Sequence, residues 1–167
     1  MRTIGIIAEY NPFHSGHRHH IQAVRQAFGA DCAVVCAMSG NWVQRGEAAL
    51  ADKWTRAALA LRQGVDLVLE LPTPWAVSSA ETFARGGVGL LTAAGVVDTL
   101  SFGSEAGDLS PLRQAAACLR TPAWREELRR ALDRGLPFPR ARQQAAEALL
   151  GPAARCLEGP NNNLGVE

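Results

Sequence analysis

Four short apolar runs alternate with segments of helical periodicity, and that alternation leaves few folds open. The runs are TIGIIA (3–8), CAVVCAM (32–38), DLVLEL (66–71) and VVDTLSF (96–102). Each is bounded by turn signals, and TIGIIA is rich in β-branched residues, so each reads as a buried strand. After the first, His17, His20, Ile21, Val24 and Phe28 recur at helical spacing on one face, and Gly29 ends that helix. A second helix starts near Asp52, with Trp54, Ala57, Ala58 and Leu61 as its expected inner stripe. Ser78-Ser79-Ala80-Glu81 has the form of a capping box opening a third. That third helix carries Gly86, Gly87 and Gly89, which cost helix stability and read as points of close approach to a strand. Strand–helix alternation implies right-handed βαβ units and a parallel sheet. The expected class is therefore α/β, a parallel sheet with helices on both faces.

Beyond the fourth strand the pattern is helical. Ser110 is the expected cap of a helix with Pro111 at its first position, and helices are expected near 111–119, 123–134 and 139–150. GPNNNLGVE reads as a turn-rich tail. The expected organisation is a core over 1–110 and a helical extension over 111–167 packed on it.

The bulk numbers exclude several classes. No apolar run of the 167 residues approaches the ~20 needed to span a membrane. MRTIGIIAEYNP lacks the features of a secretory signal, so a cytoplasmic location is expected. Cys32, Cys36, Cys118 and Cys156 form no C-x-x-C pair and are expected to be reduced thiols. A net charge of +1 excludes a polycationic nucleic-acid binder. The charge is uneven, however: residues 1–110 hold 8 basic and 10 acidic side chains, and 111–167 hold 9 arginines and 6 acids. The basic part either faces RNA phosphates or is a solvated helix surface.

Ligands of parallel sheets bind beyond the carboxyl ends of the strands. EYNPFHSGH, SGNWVQRGE, ELPTPWAVSSAE and GSEAGD all leave strands there. All four histidines of the chain fall within seven consecutive positions, 14–20, that begin in the first of these. His14-Ser15-Gly16-His17 sits between a strand and a helix, where free N–H groups and the positive helix end suit a phosphate. Gly16 lets a ligand or strand approach the backbone, and Asn11 and Pro12 shape the turn. Such a site suits attack on the α-phosphate of ATP, with charge developing on the phosphoryl oxygens and the departing pyrophosphate.

H-x-G-H after a first strand resembles the signature of the HIGH-type nucleotidyltransferases. "GIIAEYNPFHSGH", "MSGNWVQRGE", "GVDLVLELP", "SSAETFARGGVGLL", "SFGSEAGD" and "PNNNLGVE", in that order, resemble the tRNA(Met) cytidine acetate ligase family. The resemblance covers nearly all of the chain but only the N-terminal part of a family member. It implies a Rossmann-like nucleotidyltransferase fold. It also implies ATP-dependent formation of acetyl-adenylate from acetate, then N4-acetylation of the wobble cytidine of elongator methionine tRNA. His14 and His17 become the expected catalytic residues. Ile7, Ala8, Glu9, Tyr10, Asn11, Pro12, Phe13, His14, Ser15, Gly16, His17 and His20 become expected ATP contacts, with Gly103 and Asn161 or Asn162. The expected cofactor is ATP with Mg2+, and no resident metal is expected. Asn163 stands where the family usually has an aliphatic residue. Family members also continue past Glu167 with an arginine-bearing phosphate-binding segment and more tRNA-contacting surface.

Other readings stand beside these. His20 is either a packed histidine or a ligand contact, and His19 points outward. Arg45 is read as holding a phosphate or the substrate carboxylate. Lys53 and Arg56 are expected on the polar face of their helix. Glu9 either orients a histidine or magnesium, or caps a turn. Ser104 and Glu105 cap backbone groups or touch ribose, and Asn161 to Asn163 form a turn or touch nucleotide. The rival functions are an adenylyltransferase acting on a small phosphate acceptor, a non-catalytic nucleotide- or RNA-binding domain, and a zinc site built on the histidines.

Overall fold

The computed structural model describes residues 1–105 and 107–167, and Ala106 of the GSEAGD loop lies outside them. It forms two compact units, Met1–Phe102 and Gly103–Glu167. The first holds β1 (Thr3–Ala8), α1 (Ser15–Phe28), β2 (Ala33–Ser39), α2 (Lys53–Arg62), β3 (Leu67–Leu71), α3 (Thr73–Ala76), α4 (Ala80–Ala93) and β4 (Thr99–Leu100). Its four strands are parallel in the order β3-β2-β1-β4. The expected parallel α/β sheet is present. The chain moves outward from β1 to β2 and β3, then returns to the other side of β1. Such a reversal opens a crevice at the carboxyl ends of β1 and β4.

Strand alternation divides the core in two. Ile4, Ile6, Val34, Cys36 and Met38 pack with Ile21 and Val24 of α1 and Ala60 of α2. Val35 and Ala37 face the other way and pack with Leu91 of α4. Helices therefore cover both faces of the sheet. The apolar face of α1 is the one its periodicity announced, and Gly29 caps it at φ 102°.

Several boundaries and faces differ from the sequence reading. In α2 the inner residues are Arg56 and Ala60, both 0% exposed, while Trp54 is 75% and Leu61 46% exposed. The apolar stripe loses because the carbonyls at the strand ends need a donor, and the Arg56 guanidinium supplies it. Trp54 instead makes a cation–π contact with Lys53, whose Nζ lies 5.3 Å from the ring centroid. The cap of α4 is shifted by one residue. Ser79 accepts from Thr82 N–H, while Ser78 donates to the Trp75 carbonyl, so the expected Ser78–Glu81 box does not form. Only Thr99 and Leu100 of the expected fourth strand pair as strand, against β1.

The second unit holds α5 (Leu109–Leu119), α6 (Pro122–Asp133), α7 (Phe138–Leu150), a 3₁₀ segment (Gly151–Glu158) and α8 (Pro160–Val166). Ala115, Ala146 and Ala154 allow close packing around Leu112, Leu157 and Val166. Asp108, rather than Ser110, caps α5 by accepting the Ser110 N–H. The expected turn-rich tail is a helix: Pro160 opens α8, and Glu105 accepts the N–H groups of Asn161 and Asn162. All four cysteines are free thiols, with Cys32 and Cys36 buried.

Two glycines of α4 are packing positions. A Cβ on Gly87 would lie 2.7 Å from Ile7 of β1, and one on Gly86 2.6 Å from Trp75, whereas a Cβ on Gly89 meets nothing within 4 Å. Gly87→Ala is expected to destabilise the chain by ~1–3 kcal/mol through overpacking. Gly89→Ala is expected to stabilise it by ~0.5–1 kcal/mol through helix propensity. Urea denaturation of the two variants checks the opposite signs.

Candidate active site

The turn from β1 to α1 is built by its own side chains. Tyr10 takes a left-handed backbone, φ 48°, and its ring is buried. The Asn11–Pro12 bond is cis. Tyr10, Phe13 and His17 form a ring cluster, with centroids 4.8 to 5.4 Å apart. His14 and His17 stack at 3.6 Å, with 26° between the rings.

These two histidines also make the capping box of α1. His14 Nδ1 accepts the Gly16 N–H at 3.1 Å, and His17 Nδ1 accepts the His14 N–H at 3.2 Å. A nitrogen that accepts carries no proton, so each neutral ring holds its proton on Nε2. Each imidazole thus keeps an Nε2–H donor at a helix N-terminus. Burial, then the neighbouring His14 and His20, push the His17 pKa down to about 4. His17 is therefore neutral near pH 7 and acts as a dipolar donor.

Loops leaving β1 and β2 brace this turn. The Glu9 carboxylate accepts the Gln44 N–H at 2.6 Å, which realises the turn-capping role. Asn11 Oδ1 accepts the Leu50 N–H at 2.7 Å. Arg56 donates to the carbonyls of Glu9, Ser39, Gly40 and Ala51. Arg45 is exposed and left-handed, φ 69°, within the 3₁₀ turn Gln44–Gly46. His20 is half-buried one turn along α1, with Nε2 2.8 Å from Ser101 Oγ. That pair spans the reversal point between β1 and β4. Phe13, His14, Ser15, Arg18 and Gln63 line an open groove beside the box.

In the second unit, Gly103, Ser104, Glu105, Asn161 and Asn162 form their own cluster. Ser104 Oγ donates to Asn162 Oδ1 at 2.7 Å, and the same oxygen accepts the Glu105 N–H at 3.3 Å. Asn162 is buried, so its side chain holds the loop, while Asn161 is exposed, and a Cβ on Gly103 would lie 3.9 Å from it. Desolvation raises the Glu105 pKa, but the N–H groups of Asn161 and Asn162 outweigh it and hold the carboxyl below its usual range. Asn163 Oδ1 accepts from Arg142, which also pairs with Glu167 at 2.8 Å. That contact accounts for a polar residue where an aliphatic one was expected.

Sequence reasoning missed Arg56. Its signal was spacing: it lies four residues after the capping Asp52 and four before Ala60. Among the described residues, no group of three or more His, Cys, Asp and Glu side chains is placed to hold a metal ion.

The HIGH Nucleotidyl Transferase family profile matches residues 1–167. The chain belongs to the HIGH nucleotidyltransferase family. It is 52% identical over its whole length to the tRNA(Met) cytidine acetate ligase of Syntrophotalea carbinolica, covering 40% of that protein. It is 50% identical to the one from Clostridium perfringens, covering 44%. Among solved structures it matches Thermotoga maritima TmcAL bound with alpha-thio ATP, with a TM-score of 0.91 and 41% identity, over 99% of this chain and 42% of that one. The apo form of the same protein matches at 0.89. The resemblance carried by the motifs, to the N-terminal part of these ligases, is thereby borne out. The chain spans about two fifths of the length of the curated relatives it matches.

For this HIGH nucleotidyltransferase, unfolded His17 titrates near 6.5 and folded His17 near 4. Between those values the unfolded chain binds more protons, so stability falls as the pH drops. The urea midpoint is expected to be lower at about pH 4.5 than at about pH 7. The gap is expected to narrow in His17→Gln, and an equal gap in both proteins counts against the assignment.

Proposed function

We propose that this chain supplies the ATP-binding part of an enzyme that activates acetate and acetylates the wobble cytidine of elongator methionine tRNA at N4. The observation that carries this reading is the paired histidine box at the carboxyl edge of β1, in a chain of TM-score 0.91 to a structure holding an ATP analogue. In the first step an acetate oxygen attacks the α-phosphorus of ATP, the bond to the β-phosphate breaks, and pyrophosphate leaves. In the second the cytidine N4 amine attacks the acetyl carbonyl and AMP leaves.

The Nε2–H groups of His14 and His17 meet the α-phosphoryl oxygens as charge grows there. Neutral donors fixed by the fold need no reorganisation at that moment. Ile7 to Ser15 with Gly16 surround the nucleotide, and His20 orients α1 through Ser101. In the second unit, Asn162 holds the loop of Gly103 and Asn161, the residues that the motif resemblance assigns to nucleotide. Arg45 lies on the loop assigned to phosphate or acetate. The Glu9 carboxylate is already taken up by Gln44, so the reading leaves Mg2+ to the phosphates of the nucleotide. Acetate, tRNA and a cytoplasmic setting belong to the same reading. Among the described residues no helix is long and apolar enough to cross a membrane.

Acetate-dependent pyrophosphate exchange tests it, run on this chain and on a protein of its relatives' length. Exchange that needs no acetate would favour an adenylyltransferase, and ATP binding without exchange a binding domain. His17→Ala is expected to slow exchange roughly 10- to 100-fold, the loss of one charge-assisted hydrogen bond, while ATP affinity changes only a few-fold. His14→Asn keeps a good helix cap but loses the imidazole, so it is expected to fold normally and lose exchange. Methionine tRNA is expected to bind this chain weakly, with a shallow salt dependence, because few phosphates are neutralised. Submicromolar binding near physiological salt would place the RNA surface within these residues.

A further inference from the structure

We propose that Arg56 is a positioning residue of the nucleotide site. Its guanidinium clamps the carboxyl ends of β1 and β2 through main-chain carbonyls, so that the turn carrying His14 and His17 has a single geometry. The inference rests on the reading of that turn as the nucleotide site.

The side chain is 0% exposed and is the largest fully buried one in the chain. Nη1 donates to the Glu9 carbonyl, Nη2 to Ser39 at 2.8 Å and to Gly40, and Nε to Ala51 at 3.2 Å. Among the described residues its guanidinium makes no ion pair with a carboxylate. Burying a cation that the Glu9 and Asp52 carboxylates favour without pairing directly with it is still costly, and an apolar residue would fill the space beneath a sheet edge at lower cost. The fork is useful here because the carbonyls come from three places: the end of β1, the end of β2, and the loop before α2. Glu9 directly precedes Tyr10, whose left-handed backbone aims its ring at His17, 4.8 Å away. The path from Arg56 to the catalytic turn is thus Glu9 carbonyl, Tyr10, His17. Lysine keeps the charge but lacks the planar fork that reaches several acceptors at fixed angles.

The test compares the wild-type chain with Arg56→Lys and Arg56→Met. The stacked His14 and His17 rings shift each other's ring protons in the NMR spectrum, which reads the turn without any ligand. Calorimetry with ATP reads the site. Arg56→Lys is expected to melt cooperatively, to lose the ring shifts, and to bind ATP at least ~10-fold more weakly. Arg56→Met is expected to show the same losses at a lower melting temperature. Folded variants that keep both the wild-type histidine shifts and ATP affinity within twofold would overturn the proposal. If the wild type itself binds no ATP, the nucleotide reading fails, and the histidine shifts alone decide the clamp. If neither variant folds, amide exchange in the wild type decides. Residues 9–17 opening together with α2 supports the clamp, and their opening independently of a protected α2 overturns it.

Discussion

Hydrogen bonding along both edges of β1, to β2 on one side and β4 on the other, sends the chain away from one strand in opposite directions. A central strand has no free edge, so the connections on its two sides diverge and leave a gap above its carboxyl end. Everything at the site is arranged around that gap. The turn Glu9–His14 fills one side, the loop braced by Glu9 and Asn11 walls another, and the His20–Ser101 pair crosses it. Ile7 and Gly87 fit face to face on the far side of the sheet, which holds the strand bearing the turn from behind.

On the proposed reading, the histidine box uses the same rings for folding and for chemistry. One nitrogen of each ring closes the first turn of α1 and the other is left for a ligand. Helix capping ordinarily falls to serine, threonine, aspartate or asparagine. None of these leaves a second donor in a rigid ring. The stacking of the two rings and the buried Tyr10 beneath them fix the direction of those donors, so the anion site exists before an anion arrives.

The parallel sheet, the faces of α1 and the histidine turn were readable from the sequence because each rests on local rules. Ile21, Val24 and Phe28 repeat at 3.6-residue spacing, and His14 and Gly16 lie at a strand-to-helix junction. What could not be read depends on distant partners. Arg56 is buried because Glu9, Ser39 and Gly40 present carbonyls to it, and no helical periodicity encodes that demand. Trp54 is exposed because the buried face of α2 is given to Arg56 and Ala60. The PNN segment becomes a helix because Glu105, 56 residues away from Asn161 in sequence, accepts its first N–H groups.

Glu105 also decides what kind of ligand fragment the PNN segment can receive. The positive end of the α8 dipole is cancelled by a carboxylate seated on it, and the N–H groups that would greet an anion are already in use. A phosphate brought to this helix end would meet a negative charge and backbone N–H groups already taken. A group resting against Gly103 and the exposed amide of Asn161 is then favoured when it carries no negative charge.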